Sequence, residues 1–192
     1  MTKSRLEAFS DGVIAIIITI MVLELKVPEG NTLDDLKPVL PIFMSYVLSF
    51  FNIAIYWANH HHLLYTVRTV NSKIMWANTH LLFWLSLTPF GTAYMGEHHF
   101  NVESVVLYAI LQAMNGFAYA ILLKTILSNG AHDELFSEVL KKQSFKGLAS
   151  LIIYLAAIAV AFIKPAISGA MFVIVSIMWV IPDKNIERRL DT

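Results

Sequence analysis

The sequence has 192 residues, of which 57% are hydrophobic and 15% charged, and its 14 basic and 14 acidic residues balance to a formal net charge of zero. One soluble core of this size cannot bury so much apolar surface. The neutral balance disfavours a nucleic-acid-binding protein, and the lack of cysteine excludes a disulfide scaffold. The composition therefore predicts an integral membrane protein.

Long intervals without a charged residue mark the bilayer crossings, because a helix needs about 20 apolar residues to span the hydrocarbon core. Together with the N-terminal apolar run they predict an all-α bundle of six transmembrane helices that forms one domain over residues 1–192. The predicted helices cover about residues 5–27, 38–65, 73–96, 103–127, 145–163 and 165–182. An additional amphipathic helix is expected within residues 128–146, at the cytoplasmic surface.

The first predicted helix is short and flanked by charge. Lys3 and Arg5 precede its apolar run, but no small-residue cleavage pattern follows that run, so we expect the segment to be retained. The uninterrupted apolar stretch 13–23 would extend about 16 Å as a helix, roughly half of a bilayer. Asp11 and Glu24 must then lie near the membrane boundaries, where charges usually face protein or a water-filled path. A short interfacial helix is the alternative.

The distribution of lysine and arginine predicts the orientation of the helices. With a cytoplasmic N-terminus, six crossings place eleven basic residues inside and three outside, so we expect both termini in the cytoplasm. The inner set is Lys3, Arg5, Arg68, Lys73, Lys124, Lys141, Lys142, Lys146, Lys184, Arg188 and Arg189, and the outer set is Lys26, Lys37 and Lys164.

One narrow face of the first helix is apolar. Gly12, Ile16, Ile20 and Leu23 fall within about 40° of Ile16, and Thr19 lies about 60° away, at the margin of the face. From spacing alone, ordinary helix packing is the simpler interpretation of this pattern.

Polar residues concentrate at one level of the predicted bundle, near the inner ends of the first three helices. Because buried polar groups need partners, we predict a structural hydrogen-bonded layer in which some imidazoles contact Asp11; a proton relay is the alternative. Consecutive histidines point about 100° apart and cannot converge on one ion, so we expect no metal site. The layer comprises Arg5, Ser10, Asp11, His60, His61, His62, Asn78 and His80.

The motif Arg5-x-x-x-Phe9-Ser10-Asp11 at the start of an apolar helix resembles the signature of the transmembrane protein 175 potassium channels. The resemblance extends to Trp57 with His60-His61 and to Asn78 followed by Pro89-Phe90, so it covers nearly the whole chain. It implies a homotetramer, since this chain carries one copy of the six-helix unit, with four first helices around a central pore.

The resemblance also implies roles for individual residues. Ile16, Ile20 and Leu23 match a hydrophobic constriction, and Thr19 matches a hydroxyl layer that affects potassium selectivity. The residues implied in a polar network that holds the helices together are Arg5, Phe9, Ser10, Asp11, Trp57, His60, His61 and Asn78.

We therefore expect a potassium-permeable cation channel that conducts passively, without a Thr-Val-Gly-Tyr-Gly filter and without a cofactor. Its expected partners are potassium ions, the lipid bilayer and three further copies of the chain, and its expected location is a prokaryotic plasma membrane. The alternative is a proton-coupled secondary transporter that uses Asp11 and the histidines as its relay. Enzyme signatures are scarce, so we expect no catalytic activity.

Overall fold

A computed structural model describes residues 2–129 and 134–180 of the chain, and for 134–142 the backbone alone. Within these residues all regular secondary structure is helical, which confirms the predicted all-α bundle. The α-helices are α1 (Lys3–Met21), α2 (Leu40–Tyr65), α3 (Ser72–Ser86), α4 (Thr88–Glu97), α5 (Val102–Ser128), α6 (Glu134–Ala161) and α7 (Pro165–Val180). Two 3-10 helices, Val22–Glu24 and Leu33–Val39, follow α1 and precede α2.

Length and composition suit these helices to a membrane. In the part of the chain that the structure describes, four helical stretches are long and apolar enough to cross it, and α7 is a shorter apolar helix. The four stretches are Lys3–Glu24, Leu33–Tyr65, Val102–Ser128 and Gln143–Ala161.

The predicted third helix, 73–96, is divided in the structure. It consists of α3 and α4, which meet at Leu87, and Pro89 occupies the first turn of α4. Proline has no N–H and its ring crowds the preceding turn, so a continuous α-helix cannot run through this position without a kink. The third crossing is therefore a broken helix.

The sequence predicted the end of α6 well but not its beginning. The break between the last two predicted helices lies where expected, since α6 ends at Ala161 and α7 begins at Pro165. However, α6 already begins at Glu134, so no break separates the predicted span 145–163 from the expected surface helix. The side chains of 134–142 and the chain beyond Val180, which held the predicted end of the last helix at 182, lie outside the described residues.

Contacts between helix ends show that consecutive crossings run in opposite directions. Lys3 Nζ, at the start of α1, donates to the Tyr65 carbonyl, at the end of α2, over 2.7 Å. Asn71, which caps the start of α3, donates to Asn129 beyond the end of α5, also over 2.7 Å. The end of α4 lies against the start of α2, as the packing of Gly96 shows below. These contacts give α1, α2, α3 and α5 the alternating directions that short connections require.

Helix α5 occupies the centre of the bundle and connects its two apolar cores. One core joins α1, α2, α3 and α5 and includes Ile14, Leu81 and Leu122. The other joins α4 to α7 around Tyr108 and Phe172, whose ring centroids are 5.2 Å apart. Helix α1 therefore packs into only the first of these cores.

The contact between α4 and α2 generates a prediction about Gly96. A Cβ atom at this position would lie 2.6 Å from Ile42 Cα and 2.6 Å from Ser45 Oγ, and the Ile42 backbone cannot easily move. We expect Gly96→Ala to destabilise the protein by about 1–3 kcal/mol, the usual cost of overpacking. Thermal unfolding of the purified protein in detergent measures the effect.

Gly169→Ala on α7 is the matched control, because nothing lies within 4 Å of its added Cβ. Alanine favours a helix more than glycine does, so the control should unfold at the same temperature or slightly higher. Equal melting temperatures for the two variants would contradict the predicted overpacking.

Candidate functional site

Helix α1 has two opposite faces. The buried face packs into the core through Leu6, Ser10, Ile14, Ile17 and Met21. The apolar stripe that the sequence singled out points the other way: Ile16 is 60% exposed, Ile20 40% and Leu23 75%. Gly12 and Thr19 are exposed on the same stripe. The structure thus places the four predicted pore residues, Ile16, Thr19, Ile20 and Leu23, together with Gly12 on a surface that the chain itself does not cover.

Thr19 directs its hydroxyl proton back into the helix. Its Oγ1 lies 3.0 Å from the carbonyl oxygens of both Ala15 and Ile16, to which it donates. Because the proton is occupied in this way, the lone pairs of the exposed hydroxyl oxygen remain able to accept a hydrogen bond or contact a cation.

Ser10, Asn78 and His60 form a buried hydrogen-bonded network, called here the Asn78 network. Asn78 Nδ2 donates to Ser10 Oγ over 2.9 Å, and Ser10 Oγ in turn donates to the Leu6 carbonyl over 2.8 Å. The Asn78 amide oxygen can only accept, so His60 Nε2 carries the proton and donates to it over 2.6 Å. Ser10 and Asn78 are fully buried and His60 is 1% exposed. One amide therefore joins α1, α2 and α3.

Asp11 has a different partner from the one expected. The sequence predicted an imidazole, but Asp11 Oδ1 accepts a hydrogen bond from the indole Nε1 of Trp57 over 3.0 Å. His61 contacts that indole ring, at 6.4 Å between centroids. The expectation of a histidine partner is wrong because His60 is turned toward Asn78. Trp57 is half exposed, so this second contact lies at the edge of the bundle.

The remaining residues of the predicted layer lie apart from the Asn78 network. Arg5 is exposed, and Phe9, at 56%, lies on the same outward stripe of α1 as Ile16. On α3, His80 accepts a hydrogen bond from Trp84 Nε1 over 3.0 Å. Within the described residues no group of three or more histidine, aspartate or glutamate side chains is placed to hold a metal ion.

Sequence reasoning missed a second buried polar cluster. It lies on the α4 side of the break in the third helix. Thr92 Oγ1 lies 2.7 Å from Ser49 Oγ, which is 2.9 Å from the hydroxyl of Tyr108. Thr92 also contacts the sulfur of Met21, on the buried face of α1, at 3.9 Å. The signal was present in α2, where Ser45, Ser49 and Asn52 recur at helical spacing inside an apolar run and are all buried.

Taken together, these features define a helical integral membrane protein whose first helix carries an uncovered stripe. Similarity to known proteins gives the family. A profile described as "Endosomal/lysosomal potassium channel TMEM175" matches residues 5–89, which cover α1 from Arg5 onward, α2, α3 and the whole Asn78 network. A potassium channel of Chryseobacterium sp. is 50% identical over 190 residues, which are 99% of this chain and 98% of the relative. A potassium channel of Chamaesiphon minutus is 28% identical over 183 residues, 88% and 90% of the two chains.

A solved structure agrees with this assignment. The crystal structure of a lysosomal potassium-selective channel TMEM175 homolog from Chamaesiphon minutus matches with a TM-score of 0.78 and 25% sequence identity, over 93% of this chain and 96% of that one. The chain belongs to the TMEM175 family of ion channels, which confirms the resemblance found in the sequence.

The Asn78 network generates a prediction about stability. Asn78→Leu removes the amide that serves Ser10 and His60 and leaves both buried groups without that partner. An unsatisfied buried polar group costs about 1–3 kcal/mol, so we expect a large loss of melting temperature and of folded yield in detergent. Trp57→Phe is the control: it removes only the half-exposed contact to Asp11 and should cost less. A Trp57→Phe variant less stable than Asn78→Leu would contradict the central role of Asn78.

Proposed function

We propose that the protein is a potassium-permeable cation channel that conducts passively through a central pore between four copies of α1. Two observations support the proposal. The relatives from Chryseobacterium sp. and Chamaesiphon minutus carry the name of potassium channels, and α1 turns its apolar stripe away from the other described helices of the chain. The single observation that carries the pore is this uncovered stripe, because Gly12 and the Thr19 hydroxyl on it suit contact with other copies of the chain and with water better than contact with lipid.

The constriction in this proposal consists of Ile16, Ile20 and Leu23. These positions are four and three residues apart, so four copies would stack as three apolar rings over about 10 Å of the pore axis. Apolar rings of this kind gate by dewetting. Thr19 would add a ring of hydroxyl oxygens beside them, with lone pairs that its back-bonding to Ala15 and Ile16 leaves open to a partially dehydrated potassium ion.

The proposed pore has no filter of backbone carbonyls. The only segment of the sequence that resembles one, Gly91–Gly96, lies inside α4, where helical hydrogen bonds occupy the carbonyl oxygens. Selectivity would then depend on side-chain hydroxyls and ordered water, and we expect it to be modest.

The proposed orientation places both termini in the cytoplasm of a prokaryotic cell, with the channel in the plasma membrane. The start of α1 and the α2–α3 connection lie at the same end of the bundle, as the contact between Lys3 and Tyr65 requires. That end carries Lys3, Arg5, Arg68 and Lys73, in agreement with the excess of basic residues in cytoplasmic loops.

Glu24 would lie at the outer mouth, just beyond Leu23. Within the described residues, the nearby lysines pair with other carboxylates: Lys26 with Glu97 at 3.8 Å and Lys37 with Asp34 at 2.7 Å. The Glu24 carboxylate is therefore suited to concentrating cations at the pore entrance.

The alternative of a proton-coupled transporter loses support from the geometry of Asp11. A relay needs groups that both accept and donate protons, whereas the indole N–H of Trp57 that contacts Asp11 only donates. Asp11 is thus not hydrogen-bonded to the imidazole of His60, and the predicted relay lacks its first step.

Ion flux in liposomes tests the proposed function. We expect purified protein to pass potassium down its gradient without a proton gradient or a co-substrate, with sodium flux lower but measurable. Vesicles without protein control for leak. A strict requirement for a proton gradient would favour the transporter instead and would overturn the passive channel.

A substitution in α1 tests the constriction. Ile16→Asn replaces one proposed apolar ring by amides that water can wet, so we expect cation flux to rise and selectivity to change. Ile18→Asn is the matched control, since Ile18 lies about 200° further around the helix and packs against the core. Unchanged flux and selectivity in a folded Ile16→Asn protein would contradict the assignment of Ile16 to the pore.

A further inference from the structure

The exposed surface of α3 differs from that of α6 and α7. Between residues 145 and 180, every exposed residue except Lys164 is apolar, which suits contact with lipid. On α3, exposed aromatic side chains alternate with exposed hydroxyl-bearing ones, and this surface, called here the Trp76 face, comprises Trp76, Thr79, Phe83 and Ser86. Small residues on the surface of a membrane helix let a second helix approach closely. The Trp76 face is therefore suited to packing against another helix.

The residues of the Trp76 face are three, four and three positions apart. This is the spacing at which side chains of one helix insert between those of a neighbouring helix. Trp76 is 67% exposed and Phe83 56%, so both rings project from the chain. The Thr79 hydroxyl donates to the Met75 carbonyl over 3.0 Å and that of Ser86 to the Phe83 carbonyl over 2.7 Å, so neither proton needs a further acceptor. The face thus presents two large side chains separated by small ones.

A second exposed surface, formed by α1 and α2, has the complementary shape. It is called here the α1–α2 flank and comprises Ala8, Gly12 and Ala15 of α1 and Trp57 and His61 of α2. The indole of Trp57 donates to Asp11 over 3.0 Å, and the ring of His61 lies 6.4 Å from that indole between centroids. The aromatic side of the flank is therefore fixed to α1, and the small residues beside it leave room for large side chains.

The two surfaces lie at the same height along the bundle. Helices α1 and α3 run in the same direction, and the hydrogen bond between Ser10 and Asn78 fixes their relative height. Both helices rise about 1.5 Å per residue, so Ala8 lies level with Trp76, two residues before that bond. The same count places the other exposed ring of the Trp76 face level with Ala15. Rotation about a central axis parallel to the helices preserves these heights between copies of the chain.

The two surfaces also lie on opposite sides of α1, as a ring of identical copies requires. Around α1, Ala15 lies about 140° from Ser10 in one direction and Ile16 about 120° in the other. Asp11, which bonds to Trp57, lies on the Ala15 side, so α2 occupies that side and α3 the Ile16 side. When Ile16 faces a central axis, α3 of one copy therefore lies beside the α1–α2 flank of the next copy.

We propose that the Trp76 face packs against the α1–α2 flank of the next copy around the proposed pore, with the Trp76 ring over Ala8 and the Phe83 ring over Ala15. This contact rests on the tetramer of the proposed function and identifies the surfaces that join its subunits. Different surfaces meet in it, so the contact is heterologous, and four such contacts close a ring. Each α3 then holds the α1 of the next copy in the rotation that turns Ile16 toward the axis.

Paired cysteines test the contact, because the chain itself contains none. Gly12 and Thr79 differ by about one residue in height, and nothing lies within 4 Å of a Cβ added at Gly12. In liposomes, oxidation of the Gly12→Cys/Thr79→Cys variant should link two, three and four copies, and a thiol reductant should reverse the linkage. Gly12→Cys/Leu148→Cys is the matched control, since Leu148 is exposed on the apolar surface of α6, and it should remain monomeric after oxidation in a denaturing gel.

The single-cysteine variants separate this contact from other arrangements. Cross-linking of Gly12→Cys alone would mean that α1 meets α1, and cross-linking of Thr79→Cys alone that α3 meets α3; either result overturns the proposal. A double variant that is tetrameric by light scattering but does not cross-link would mean that lipid covers the Trp76 face. Monomers in light scattering of the unmodified protein would instead contradict the tetramer of the proposed function, so the two failures are distinguishable.

An exchange of large and small side chains provides a second test. Ala15→Phe fills the space proposed for Phe83 of the next copy but leaves the separate chain unstrained, since Ala15 is exposed. We expect association to weaken about tenfold, a usual effect of overpacking, with an unchanged helical circular dichroism spectrum. Adding Phe83→Ala should restore association, and Ala159→Phe, on the exposed surface of α6, should leave it unchanged. An Ala15→Phe protein that associates as well as the original would overturn the contact.

Discussion

The hydrogen bonds of Asn78 are the interaction on which the arrangement of the first three helices depends. In a membrane protein apolar side chains contact lipid about as favourably as they contact one another, so apolar packing alone fixes the rotation of a helix weakly. A buried amide between a hydroxyl and an imidazole fixes it strongly, because rotation would leave three polar groups without partners in a medium of low dielectric constant. Ser10 is therefore held inward, at 2.9 Å from Asn78 Nδ2.

The outward direction of the α1 stripe follows from that constraint. Ser10 and Ile16 are six residues apart, which corresponds to about 120° around a helix, and Ile14 and Met21 complete the buried face on the Ser10 side. At the other end of α1, Met21 lies against Thr92 of the broken third helix, so the helix is anchored at both ends of the same face. The Ser10–Asn78 hydrogen bond and the contact of the Thr92 hydroxyl with the Met21 sulfur thus determine which residues of α1 remain uncovered.

The sequence predicted the helical bundle and the set of polar residues better than their pairing. Long charge-free runs specify helices because few other structures satisfy the backbone in lipid, and the break at Lys164-Pro165 was visible as a local signal. Pairing depends on how helices distant in the sequence approach one another, which periodicity does not report. For that reason the sequence placed a histidine on Asp11, where the structure has Trp57. The division of the third helix follows from Pro89. This proline was visible in the sequence, but the long charge-free interval around it led to the prediction of one continuous helix.

Exposure alone does not distinguish a pore-facing stripe from a lipid-facing one, because lipid accepts exposed isoleucine and leucine without cost. The composition of the whole stripe provides the distinction. A lipid-facing surface does not need Gly12, which offers no apolar side chain, or the hydroxyl of Thr19, whose lone pairs lipid cannot satisfy. Arg5 adds a charge at the start of the same stripe. Small, hydroxyl-bearing and charged residues thus share the stripe with a short apolar section. Such a surface suits close approach between copies of the chain and contact with water better than it suits contact with hydrocarbon. This composition, rather than the amount of exposed apolar surface, is the physical support for the proposed pore.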